Sequence, residues 1–177
     1  MKLTELKKIK SKGKKAEVFG MSFGMIFSII LIAFFLVIAF IGIRYILNWQ
    51  KQTQIGLFLR DLQEEVNDAW NSEKTSFVFK SSLPSNINDV CFINFDMNPK
   101  GYSNYELNMY DKVKKSNYDA SKNTYLMSDS ENYPIQIANI KNIELTKKNP
   151  ICIKVISGKI SITIEKKAES ALVFLSA

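Results

Sequence analysis

Hydrophobic and polar positions along the chain follow three successive rhythms. From Val18 to Ile43 the residues are apolar or small and none carries a charge. A helix of that stretch, at about 1.5 Å per residue, is roughly 39 Å long, more than the ~30 Å hydrocarbon core of a bilayer. A secretory signal has an apolar region of only about 7 to 15 residues, closed by a small-x-small cleavage site. This run instead continues through Phe40, Ile41 and Ile43 into Arg44, Tyr45 and Trp49, a cation and rings of the kind that settle at headgroup depth. The pattern predicts a retained transmembrane helix over 18–46.

The second rhythm has a period near 3.6. Ile55, Leu59, Leu62, Val66 and Ala69 or Trp70 recur at three- and four-residue spacing, with Phe58 beside them, which predicts an amphipathic helix over 47–72. No Pro interrupts residues 18 to 70, and within that stretch Gly56 is the only Gly after Gly42. One helix of about fifty residues is therefore expected, with room for a bend near Gln50 to Gly56. Asp61, Glu64, Glu65 and Asp68 share its opposite face.

After Asn71 and Ser72 the period shortens to two. "TSFVFK" and "NDVCFINFD" are β-branched and aromatic runs separated by the turn-forming "SSLPSN". From Pro99 to about Asn132 the chain is rich in Asn, Ser, Lys and Tyr and reads as a surface excursion, with a short helix at "NYELNMYDKVKK". "IQIANIKNIEL" and "ALVFLSA" read as further strands. "ICIKVISGKISITIEKK" reads as a hairpin turning at Ser157-Gly158, with Ile160, Ile162 and Ile164 on one face. The predicted fold class is α+β: a long N-terminal transmembrane helix continuing into an amphipathic helix, then a small, mainly antiparallel β-rich extracytoplasmic domain over 73–177.

Charge changes this picture only at one end. Seven lysines and two glutamates among the first seventeen residues supply +5 of the formal net +7. Residues 1–17 thus form a basic leader flanking the apolar run, and Lys/Arg excess marks the cytoplasmic side. The expected placement is a single pass in the cell membrane, N-terminus cytoplasmic and C-terminal domain outside. The lipid bilayer is the expected partner and nucleic acid is not, because a nucleic-acid face needs basic and aromatic residues spread over a folded surface.

Candidate chemistry is sparse. The chain has no His, which removes Ser-His-Asp and Cys-His nucleophiles and most zinc sites. No catalytic motif or cofactor site emerges, and the expectation is a non-enzyme. Asp61, Glu64, Glu65 and Asp68 read as a solvated helix face, with a hydrated divalent cation as the alternative. Cys91 and Cys152 lie sixty-one residues apart in predicted strands; an exported domain permits a disulfide, and two buried free thiols are the alternative. Tyr102, Tyr105, Tyr110, Tyr118, Tyr125 and Tyr133 read as packing of the excursion onto the sheet, or else as a recognition surface. In the apolar run Gly20, Gly24 and Ser28 fall at four-residue intervals, beside Phe19, Phe23 and Phe27. Small residues so spaced let helices approach closely in lipid, although glycines are also common in plain membrane anchors.

A basic leader, a Gly/Ser/Phe segment, a long apolar helix continuing into an amphipathic one, and a β-rich C-terminal domain together resemble the organisation of type IV pilin-like proteins. Locally, "FGMSFGM" is similar to the archaeal class III signal pattern Gln-x-Ser-x-Glu. Ser22 stands at the pattern's Ser, with Gly20 at its Gln and Gly24 at its Glu. The resemblance implies a pilin-like envelope or surface subunit that presents its β-rich domain for assembly or adhesion, in an archaeal or bacterial cell. A membrane-anchored binding domain, or an accessory subunit of another membrane complex, is the alternative reading.

Overall fold

The computed structural model describes residues 23–116, 119, 121–130 and 134–177. The fold is α+β, with one long apolar helix near the N-terminus and a small antiparallel β domain. Two compact units meet in sequence between Leu47 and Asn48.

Helix α1 spans Phe23–Asn71, 49 residues, with no Pro to remove an i→i−4 hydrogen bond. From Met25 to Leu47 its large apolar side chains are exposed. Beyond Asn48 its surface divides by face. Ile55, Phe58, Leu62, Val66 and Ala69 are buried at three- and four-residue intervals, each worth about 1.5–3 kcal/mol for the larger side chains. Ala69 takes the last core position; Trp70 is half exposed and donates its indole N–H to the Ala171 carbonyl at 3.0 Å.

Among the described residues seven strands follow in two antiparallel sheets. The first has order β1 (Thr75–Ser82), β6 (Lys159–Lys166), β7 (Phe174–Ser176). The second has order β4 (Gln136–Ala138), β3 (Thr124–Met127), β2 (Asp89–Phe92), β5 (Ile151–Lys154). Helix α2 occupies Asn104–Lys115.

Side-chain alternation assigns each sheet its role. In the first sheet Phe79, Ile160, Ile162 and Ile164 join the core made by α1, while Ser76, Val78 and Lys80 face outward. The second sheet is buried on both faces. Val90, Phe92, Leu126, Ile151 and Ile153 enter the α1 core, whereas Cys91, Ile93, Tyr125 and Met127 pack with Tyr110 and Val113 of α2. Strands covered on both sides read as continuous apolar runs rather than as alternation, and β2 and β3 are buried at every position.

Three expectations need correction. The "ICIKVISGKISITIEKK" hairpin keeps its turn and loses its ladder. Ser157 and Gly158 have φ of 52° and 72°, the positive values that tight hairpin turns demand, and Ile156 and Lys159 exchange both backbone bonds. Beyond them β5 pairs with β2 and β6 pairs with β1. The eight-residue ladder with β1 takes β6 from local pairing, and β5 pairs with β2 across four residues. The middle excursion contains β3, a buried central strand, because four residues covered on both faces leave no periodic signature. Finally, the "IQIANIKNIEL" alternation yields only the three-residue β4; Ile140, Ile143 and Leu145 are buried from irregular backbone.

Candidate functional site

The first candidate surface is the exposed part of α1. It is the one helix among the described residues long and apolar enough to cross a membrane, with a window of mean hydropathy 3.2 of which nothing is buried within the protein. Two of its polar side chains make contacts within the helix. The Ser28 hydroxyl donates to the Gly24 carbonyl at 2.7 Å, so Ser28 presents no bare donor to hydrocarbon. The Arg44 guanidinium lies 4.4 Å above the Phe40 ring, a cation on an aromatic face at the end of the uncharged run. Gly24 and Ser28 thus share one helix face; Gly20 and the leader over 1–17 lie outside the described residues.

The second candidate is the ladder of β2 and β5. Cys91 and Cys152 stand opposite each other in register and form a disulfide, S–S 2.05 Å, with Cα atoms 4.1 Å apart. Two positions along, Asp89 faces Lys154. Asp89 is 2% exposed, and its Oδ1 has no hydrogen-bond partner among the described residues. Burial pushes the Asp89 carboxyl above the usual carboxylate range. The Tyr105 hydrogen bond opposes that rise, nearby Asp129 adds to it, and Lys154 and Lys112 act against it. The Tyr105 phenol is driven up in turn by burial and by its bond to Asp89. The Lys154 ammonium sits 4.5 Å over the Tyr105 ring, and Lys112 donates to the Ser128 carbonyl at 3.0 Å.

Helix α2 is pinned beside this ladder by its own first turn. Ser103 and Glu106 form a reciprocal capping box: the Ser103 N–H donates to Glu106 Oε2 at 2.8 Å, and the Glu106 N–H donates to Ser103 Oγ at 3.3 Å. Glu106 Oε1 then accepts from Lys148 Nζ at 2.7 Å and from the Cys152 N–H at 3.3 Å. Burial alone would raise the Glu106 carboxyl; the Lys148 ammonium and the Ser103 and Cys152 donors outweigh it and hold the group below its usual range. The spacing Ser103-x-x-Glu106 is a legible N-terminal signature that the helix expectation at "NYELNMYDKVKK" did not use. The reach to Cys152 had no local signal.

The predicted carboxylates of α1 lie apart from this ladder. Asp61 pairs with Arg60 at 2.8 Å on the surface, and Glu64 and Asp68 are exposed. Among the described residues no three His, Cys, Asp or Glu side chains converge as metal ligands. Tyr110 and Tyr125 are buried and Tyr102 is exposed, while Tyr118 and Tyr133 lie outside the described residues. An open cleft of about 650 Å³ is lined by Lys74, Lys147 and Lys167 and by Glu144, Glu165 and Glu169. Equal numbers of both signs give it no preference for either charge. Lys147 and Lys167 lie over the Phe174 ring at 4.5 and 5.6 Å, so that aromatic face is already taken by cations.

Comparison with known protein families, curated proteins and solved structures finds no match for this chain.

Proposed function

We propose that the chain is a non-enzymatic, single-pass membrane protein: a pilin-like envelope or surface subunit anchored through α1, with the β-rich domain presented outside the cell for assembly or adhesion. One observation carries the reading. A single helix changes along its length from a surface wholly exposed and apolar to one whose apolar side chains build a domain core. Water disfavours the first surface and hydrocarbon suits it, since a helix bonds its backbone groups within its own segment. The lysine-rich residues ahead of it supply the orientation, by the excess of cytoplasmic Lys and Arg. The disulfide supports the outer placement, because such bonds persist in oxidising compartments.

Gly24 favours a second reading. It stands where the archaeal signal pattern has Glu, and without a carboxylate the pilin type of assembly loses its register. An anchored binding domain or accessory subunit then accounts for the same architecture. Two measurements on protein in its native membrane separate these outcomes. Protease added to intact cells is expected to remove the domain beyond about residue 50; protection of that domain with cleavage of the leader reverses the orientation. Intact mass then reports the leader. Loss of roughly the first twenty residues supports the pilin-like subunit, and an intact N-terminus supports the accessory subunit.

A further inference from the structure

Strand β1 is the outermost strand of its sheet. It pairs with β6 across all eight residues, Thr75↔Lys166 to Ser82↔Lys159, and no strand of the described residues lies on its other side. The Leu83 N–H donates to the Gly158 carbonyl at 2.9 Å in the same register. That bond sets the parity of the ladder. Phe77, Phe79 and Ser81 exchange backbone bonds with β6, so the N–H and C=O groups of Ser76, Val78 and Lys80 point to the open side. Eight residues is long for an edge strand, which natural proteins usually shorten, bulge, interrupt with Pro or guard with charged side chains. β1 has no Pro, its one charged residue is Lys80 at the end of a groove against α1, and Val78 is 51% exposed.

The open edge runs beside a groove of about 390 Å³, whose walls are Phe77 to Lys80 on β1 and Asp61, Glu64 and Glu65 on α1. Asp61 is held by Arg60. Glu64 and Glu65 make no ion pair among the described residues. A strand added to β1 would project every second side chain over these carboxylates.

We infer that the β1 edge is a docking site for an extended segment of a partner protein that carries Lys or Arg at alternate positions. Its backbone completes the ladder at Ser76, Val78 and Lys80, and its cations reach Glu64 and Glu65. Pairing of β1 with β1 of a second copy would bring two rows of carboxylates together on one face of the joined sheet, which like-charge repulsion disfavours. The inference takes from the proposed function only that the β-rich domain acts by binding. It stands whichever side of the membrane that domain occupies, so a failed orientation test leaves it intact.

The test uses the full chain in lipid nanodiscs and a fluorescent ten-residue peptide of alternating Lys and Thr, read by anisotropy and amide exchange. Saturable binding is expected, with new protection at the Ser76, Val78 and Lys80 amides. Affinity should fall at least about fivefold in the Glu64→Lys, Glu65→Lys double variant. It should be lost in Val78→Pro, whose missing N–H belongs to the open side, and equally lost when the peptide is N-methylated at alternate residues, a control that leaves the protein untouched. Equal binding of the Glu-for-Lys peptide, unchanged binding of the N-methylated peptide, no new amide protection, no binding, or dimerisation through β1 in its place would each overturn the inference.

Discussion

The Glu106 carboxylate on α2 lies 2.7 Å from the Lys148 ammonium, with the glutamate side chain only 7% exposed. The pair joins the helix start to the segment entering β5, and Glu106 also receives the Cys152 N–H. Glu106→Gln keeps the shape and removes the charge. A loss of about 1.5–3 kcal/mol is expected, the range for a hydrogen bond to a charged group. The sign of its pH dependence follows from the lowered carboxyl. The folded group releases its proton more readily than the unfolded one, whose value is about 4.3. The contribution is therefore complete above that pH and lost as pH falls through the folded value. Urea unfolding of both proteins should show a gap at pH 7 that closes below about pH 4; a constant gap would exclude the charge as its source.

Asp89 should show the opposite slope. Its carboxyl is raised by burial, against the Tyr105 bond and the Lys154 and Lys112 charges and with that of Asp129. The folded state then holds the proton to higher pH than the unfolded state. Stability falls as pH rises from about 3.9 through the raised value. Asp89→Asn preserves an acceptor for Tyr105 and abolishes the titration. Melting temperatures at pH 4 and pH 7.5 should differ less in the variant than in the wild type, with the variant the more stable of the two at pH 7.5. An unchanged difference between the two pH values would place the titration elsewhere.

The Cys91–Cys152 bond closes a loop of sixty-one residues. In the chain-entropy account its loss costs about 4 kcal/mol. Cys91→Ala with Cys152→Ala, or the wild type under a strong reductant, should unfold at correspondingly lower urea concentration and with a steeper slope, because the unlinked unfolded chain exposes more surface. Peptide mapping without reduction should recover the linked pair, and two thiols open to alkylation in carefully quenched native protein would dismiss it.

Gly24→Leu probes the apolar helix. Leu suits lipid as well as Gly does, so a simple anchor tolerates the change. Close helix–helix approach through the Gly24 and Ser28 face does not, because the added side chain pushes the backbones apart. Crosslinking or subunit counting in membranes is expected to show fewer oligomers for the variant. Equal oligomer fractions would reduce this face to an anchor and favour the accessory-subunit reading.

Some of this protein was decided residue by residue. The apolar run and the three- and four-residue spacing of Ile55, Phe58, Leu62, Val66 and Ala69 specify α1, because a helix satisfies its backbone within its own segment and sorts its side chains by period. The Ser103 and Glu106 spacing that starts α2, and the Ser157-Gly158 turn, are local in the same sense. Sheet partnership is not. Each strand's backbone needs a neighbour distant in sequence, and the pattern of Ile160, Ile162 and Ile164 says which face is buried without saying whether β5 or β1 lies alongside. Only the assembled fold sent β5 to β2, where Cys152 meets Cys91, and sent β6 to β1. It turned "TYLM" from a stretch of polar excursion into a central strand by covering both its faces. It also left β1 on the outside: a strand carries no mark of being an edge, since that depends on which partners remain once the other ladders have formed.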